Sequence, residues 1–285
     1  MIPLSSRSRP PARRGFTLLE LIVVFTIIAL LAGLSLSGLA GARLRARIDK
    51  TRLTIQKIHE IVIAQHEDYL DRRVSLPPPT SRVQLSQDRL RTIRRMIVRE
   101  MPDTWADVQP SPAAVGTLPA SFQTAPVYAY ASAKALGPSG TNGSAECLYL
   151  IATRGRGDPE DMQRFRVEEV GDTDSDGAPE FLDAWGQPIT WIRWAPGFTS
   201  PVQKPDATNF HDPFDPQRAD PAGYALVPLI VSSGPDGALG LAPSPGWDAQ
   251  PDLLSVVNLL TPRPGSVSSA TDASDNITNH DLVSK

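Results

Sequence analysis

Residues 13–42 read RRGFTLLELIVVFTIIALLAGLSLSGLAGA. From Leu21 to Ala42 there are 22 residues without a charge. As an α-helix such a run is about 33 Å long, and the hydrocarbon core of a bilayer is about 30 Å thick. The stretch therefore predicts a transmembrane helix over 16–42. The flank before it holds Arg7, Arg9, Arg13 and Arg14 and no acid, which favours a cytoplasmic N-terminus. The flank after it is basic too, with Arg43, Arg45, Arg47, Lys50 and Arg52 against Asp49. Charge alone thus leaves the orientation open. Gly38-Leu39-Ala40 has the small-x-small form of a signal-peptide cleavage site, but the apolar core of such a signal is about 7–15 residues, shorter than this one.

Glu20 is the anomaly in the run. A carboxylate inside a span is costly and asks for a partner. A cut between Gly15 and Phe16 would give Phe16 a free amine, charged or nearly so at neutral pH. Glu20 lies about one helical turn further on. That amine, from the same chain or a neighbour, would compensate the acid. Because such pairs help only in good geometry, the pairing would set register between subunits.

Arg13-Arg14-Gly15-Phe16-Thr17-Leu18-Leu19-Glu20 ahead of an apolar run resembles the N-terminus of type IV prepilins and type II secretion pseudopilins. The resemblance covers about residues 13–42. It implies a leader peptide, 1–15, removed after Gly15 by a prepilin peptidase, and methylation of the Phe16 amine. It implies that Glu20 engages the amine of an adjacent subunit during assembly with other pilin-like subunits. The product is a type II secretion pseudopilus or a type IV pilus. The resemblance also places the chain in inner-membrane lipid as a single-pass protein, N-terminus cytoplasmic and head outward. Such proteins often carry a proline midway along this helix; here Ser35-Leu36-Ser37-Gly38 occupies that region. Gly33, Ser37 and Gly41 form a small-xxx-small row that permits close helix contact or is simply part of the span. The alternative from another class is a monomeric, membrane-anchored calcium- or ligand-binding protein that uses the same insertion route.

The helical pattern continues past the span. No proline or glycine occurs from Ala42 to Val74, and Leu44, Ile48, Thr51, Ile55, Ile58, Val62, Gln65 and Tyr69 follow a 4-3 spacing. Leu53, Ile61 and Ile63 widen the stripe, as expected of a helix that packs on a domain. This predicts an amphipathic spine helix over 43–76, ended by Pro77-Pro78-Pro79. A single helix from Phe16 to Val74 would be about 90 Å long.

The rest predicts an α+β head over 77–261 and a polar, weakly ordered C-terminal tail over 262–285, from which DNITNHDL could dock back. Ser86–Met101 is an amphipathic helix with Leu90, Ile93, Ile97 and Met101 on one face and Arg89, Arg91, Arg94, Arg95 and Arg99 on the other. The arginine face is expected to be solvated or to meet acidic neighbours in an oligomer. Residues 107–145 are rich in Pro, Ala, Ser and Gly and are expected to be loop-rich. AECLYLIAT, with Cys147 as a core residue, favours a short buried helix. Strands are expected at Phe165–Val170, Ile189–Trp194 and Tyr224–Ser232. The architecture is then a long N-terminal helix packed on a small antiparallel sheet, pilin-like.

Composition bounds the function. The 285 residues carry a net charge of −3, and loss of the leader removes four arginines, so no nucleic-acid partner is expected. A single cysteine excludes an internal disulfide, a departure from the many type IV pilins that close a C-terminal loop with one. The chain has no Gly-x-Ser-x-Gly elbow, phosphate loop or dinucleotide fingerprint. His59 and His66 are seven residues apart on the spine helix, and His211 and His280 are isolated. No enzyme is expected, and no catalytic residue is assigned.

Three motifs stand out in the head. LDAWGQPITWIRW, from Leu182, reads as a turn whose Trp185 enters the core while Gly186 supplies a permissive backbone. It resembles the Asp-x-Trp-Gly-x-Pro hairpin of major pseudopilin heads, and VSSGPDGALG, from Val231, resembles the segment that follows there. GDTDSDGAPEFLD alternates Asp172, Asp174 and Asp176 before Gly177, with Glu180 and Asp183 behind. Alternating carboxylates and a glycine bend suit a calcium loop; the other reading is a solvated acidic turn held by Asx hydrogen bonds. In major pseudopilins calcium is held by a C-terminal loop, which would point here to Asp236 and Asp275.

Overall fold

The computed structural model describes residues 15–76, 78, 81–138, 141–155 and 159–283, and the side chains of 34–38, 159 and 283 stand outside that set. Residues 1–14 of the expected leader, Pro77, Pro79 and the side chains of the Ser35–Gly38 region therefore lie outside the described residues. The chain divides into two units, Met1–Ala46 and Arg47–Lys285.

Helix α1 runs from Leu18 to Glu67. In the first unit its large apolar side chains are exposed all round, Leu18 at 77 %, Phe25 at 61 % and Leu30 at 68 %. Among the described residues no helix is long and apolar enough to cross a membrane. The expected span of 16–42 takes in 34–38, whose side chains are outside that set.

In the second unit α1 buries Thr51, Thr54, Ile55, Ile58, Ile61, Val62, Gln65 and His66. Thr51, Ile55, Ile58, Ile61, Val62 and Gln65 belong to the stripe read from the sequence, Thr54 and His66 do not, and Leu44 and Leu53 of that stripe are exposed. The helix stops at Glu67, short of the expected residue 76. The chain turns there because Tyr69 and Arg72 converge on buried Glu100: the Tyr69 hydroxyl donates to Glu100 Oε2 at 2.6 Å, and Arg72 donates to both oxygens at 2.6 and 2.8 Å.

Helix α2, Arg82–Glu100, starts a turn earlier than expected because the Ser81 side chain caps it, accepting from Gln84 N at 3.1 Å. Its apolar face is buried as read. Its arginine face is not solvated. Arg91 pairs with Asp252 at 2.8 Å, Arg99 with Asp248 at 2.9 Å, and Arg94, 2 % exposed, with Asp212 at 2.5 Å. The acids that meet this face come from the same chain.

The region read as loop-rich holds α3, Pro112–Val115, and α4, Ala125–Lys134. Prolines 112 and 126 sit in the first turns, where the missing N–H costs nothing. Helix α5, Gly143–Arg154, buries Cys147, Leu148 and Ile151. Two small antiparallel sheets follow. Strand β1, Val170–Gly171, pairs with β2, Glu180–Phe181. Strand β3, Thr190–Ile192, pairs with β4, Leu229–Ser232, in the register Trp191↔Ile230. Strand β5, Ile277–Thr278, adds to the other edge of β4. The architecture is thus mixed helix with small antiparallel sheets, of α+β type. Only Val170 of the expected strand 165–170 is in a strand; a 3-10 turn occupies Val167–Glu169.

The C-terminal segment is part of the fold, not a loose tail. β5 lies in it, short helix α6, His280–Val283, follows, and Asn279 and His280 are fully buried. The Asn279 side chain accepts from Ile230 N at 2.8 Å, donates to Pro228 O at 2.9 Å and meets His59 Nδ1 at 3.0 Å. It joins β4 to α1.

His66 makes the head sensitive to acid. It is buried, with its ring edge-on to Phe214 at 5.0 Å. Burial, with a smaller contribution from Arg193, pushes its imidazole down to about 4. A histidine with a depressed folded pKa contributes stability above about 6.5 that is lost as pH falls towards 4. At pH 5 the loss is roughly 2 kcal/mol. Between pH 8 and pH 5, His66→Leu should therefore lose about 2 kcal/mol less than the wild type. Denaturant unfolding followed by tryptophan fluorescence measures this, and equal losses would assign the acid sensitivity elsewhere.

Candidate functional site

At the N-terminus, Gly15, Phe16 and Thr17 are non-helical and exposed, Phe16 at 81 %. A Cβ placed on Gly15 would meet nothing within 4 Å. The chain's own packing therefore does not demand glycine there, and the Gly15–Phe16 bond is open to another molecule.

Thr17 and Glu20 form a reciprocal cap on α1. Thr17 N and Oγ1 donate to Glu20 Oε2 at 2.9 and 3.0 Å, and Glu20 N donates to Thr17 Oγ1 at 3.2 Å. This is the capping-box arrangement. Sequence reading sought only an amine for Glu20 and missed this role, though Thr-x-x-Glu before an apolar run was its visible signal.

The acidic loop lies between β1 and β2. Ser175 and Gly177 have φ of 61° and 91°. Asp172 accepts from Asp176 N at 3.2 Å and from Gly177 N at 2.9 Å, so it is engaged in the Asx-type turn. Glu180 is buried and accepts from Thr173 N at 3.1 Å and Asn142 Nδ2 at 3.0 Å. Asp183 accepts from Trp185 N at 2.8 Å and Gln187 N at 3.0 Å, and from Ser232 Oγ at 2.7 Å. It organises the Gly186 turn, where φ is 80°, and ties that turn to β4. Backbone, hydroxyl and amide donors thus hold three of the five acids read as one calcium shell.

The structure brings the other two to a residue that sequence reading passed over. Carboxylate oxygens of Glu146, Asp174 and Asp176 lie within 4.8 Å of one another. Glu146 sits in the first turn of α5 and is 1 % exposed. One of its oxygens accepts from Trp105 Nε1, and Oε1 is buried with no hydrogen-bond partner. Burial pushes its carboxyl up to about 7, against the Trp105 hydrogen bond and helped by the charges of Asp176 and Asp174. The available signal was an acid inside the otherwise apolar run AECLYLI. Glu146 and Asp176 both line a cavity of about 340 Å³ walled by Trp105, Tyr149 and Leu150.

Asp236 and Asp275 also meet. Asp236 N donates to Asp275 Oδ2 at 3.3 Å. A Cβ on Gly234 would stand 2.4 Å from Asp275 O, so only glycine permits this approach.

Residues 10–36 match the family model of the prokaryotic N-terminal methylation motif, the prepilin-type motif. The motif supports a type IV pilin-like or pseudopilin family, whose members are structural subunits. It implies processing by a prepilin peptidase and assembly with other pilin-like subunits. No curated protein and no solved structure matches the chain.

Proposed function

We propose that the chain is a prepilin-like structural subunit, inserted in the inner membrane, cut after Gly15, methylated on Phe16 and assembled into a type II secretion pseudopilus or type IV pilus. The observation that carries this reading is the placement of the motif. Its cleavable bond is exposed and non-helical, directly ahead of a capped helix whose large apolar side chains are exposed all round. Exposed apolar surface of that extent needs lipid or neighbouring helices to cover it. Residues 16–42 supply the single span, with 34–38 completing the apolar run in the sequence. The function is mechanical: subunits packed through this helix are drawn out of the membrane carrying their heads.

The test is the mature N-terminus. Intact-mass and N-terminal peptide analysis of membrane-extracted protein should find Phe16 first, carrying one methyl. Retained residues 1–15, or a start near Gly41, would overturn the reading.

A further inference from the structure

The geometry points to a divalent-cation site of calcium type built from Glu146, Asp174 and Asp176, joining α5 to the acidic loop. Calcium–oxygen distances are about 2.3–2.6 Å, so oxygens on one ion lie at most about 4.6–5.2 Å apart. The three carboxylates meet that limit, with ligand atoms within 4.8 Å of one another.

An acidic group on a surface loop is commonplace; the buried member sets this one apart. Glu146 is 1 % exposed, and its Oε1 has no hydrogen-bond partner. A buried carboxylate oxygen left without a partner is costly. A bound cation would satisfy the orphan oxygen.

The donor set selects the ion. All donors are oxygens, which excludes preference for a soft or imidazole-seeking metal. Asp174 and Asp176 are half-buried, so water can complete a large, flexible shell, as calcium accepts and magnesium resists. The turn held by Asp172 carries the two loop ligands. The site does not depend on filament assembly.

The experiment uses the detergent-solubilised full chain, with calcium chloride against chelator and terbium as a luminescent stand-in. The Trp105 indole donates to Glu146, so excitation of tryptophan should sensitise bound terbium, and calcium should displace it. Calcium should raise the melting temperature saturably. Glu146→Gln, and Asp174→Asn with Asp176→Asn, should each weaken terbium and calcium binding at least tenfold. Asp275→Asn should leave it within twofold. Glu146→Gln keeps an acceptor for Trp105, and a melting temperature near wild type in chelator confirms that it folds; if it does not fold, Asp176→Asn alone carries the test. No calcium effect on melting overturns the proposal. So does terbium binding that survives Glu146→Gln or Asp176→Asn, or that is lost in Asp275→Asn.

Discussion

Glu20→Gln is expected to be inserted and cut normally, yet to yield few or no filaments. The cap on α1 and the charge of Glu20 are two separable contributions. The cap requires an acceptor at the third helical position, which glutamine also supplies. Pairing with a protonated Phe16 amine of a neighbour requires the negative charge. Glu20→Ala removes both, losing on the order of 1 kcal/mol of capping as well; Glu20→Gln removes only the charge. An amine left unpaired in a low-dielectric contact costs about 3–5 kcal/mol. At 1.4 kcal/mol per decade this weakens each subunit contact about 10²- to 4 × 10³-fold. Insertion should not suffer, because the helix becomes less polar. Mass analysis reports cutting and methylation, and electron microscopy of sheared filaments reports assembly. Filaments at wild-type yield from Glu20→Gln, alongside a defect in Glu20→Ala, would reduce Glu20 to a helix cap.

The elements legible in the sequence are those whose determinants are local and repeated. The stripe from Thr51 to Gln65 is a run of 3.6-residue periodicity, and Thr51, Ile55, Ile58, Val62 and Gln65, which the spacing selected, are buried, with Thr54 joining them from outside it. The Gly186 turn announced itself through Asp183 and glycine, and both sit where turn chemistry requires. What stayed hidden depends on distant partners. Periodicity shows that α2 has a polar face, but not that Asp212, Asp248 and Asp252 return from far along the chain to neutralise it. The strands are two to four residues long, too short for alternation to register. The C-terminal segment is polar in composition, and its order rests on a few contacts with distant partners: β5 pairs with β4, Ile277 enters the main core, and Asn279 hydrogen-bonds to β4. Glu146 was masked for the opposite reason, since its apolar neighbours made the whole run read as core.

Arg193→Met is expected to destabilise the head by about 4 kcal/mol, because it leaves two buried carboxylates without their cation. Arg193 follows β3 and is fully buried, as is the Asp103 and Asp107 pair it serves. Its Nη2 lies 2.8 Å from Asp107 Oδ2 and 3.3 Å from Asp103 Oδ1, and Nη1 donates to Met101 O at 2.5 Å. Burial pushes the Asp103 carboxyl above its ordinary range, even against the pull of Arg193. Asp107 also accepts from Trp247 N and Asp248 N, so the network fixes the end of α2, the β3 edge and the 247–248 segment together. Removing the guanidinium strands the acids; removing acid and cation together strands less. Asp103→Asn combined with Arg193→Met should therefore cost clearly less than the sum of the two single changes. All five tryptophans lie beyond residue 100, so their fluorescence in guanidinium follows the head and not the N-terminal helix. A domain of this size should melt about 8–16 °C lower for a loss of that magnitude. Against a typical stability of about 5–15 kcal/mol, the variant keeps its N-terminal motif but has a marginal head; on the proposed function it should still reach the membrane. Processing of Phe16 should then proceed while accumulation falls. A loss below about 1 kcal/mol would mean that water or a shared proton between the two aspartates replaces the guanidinium.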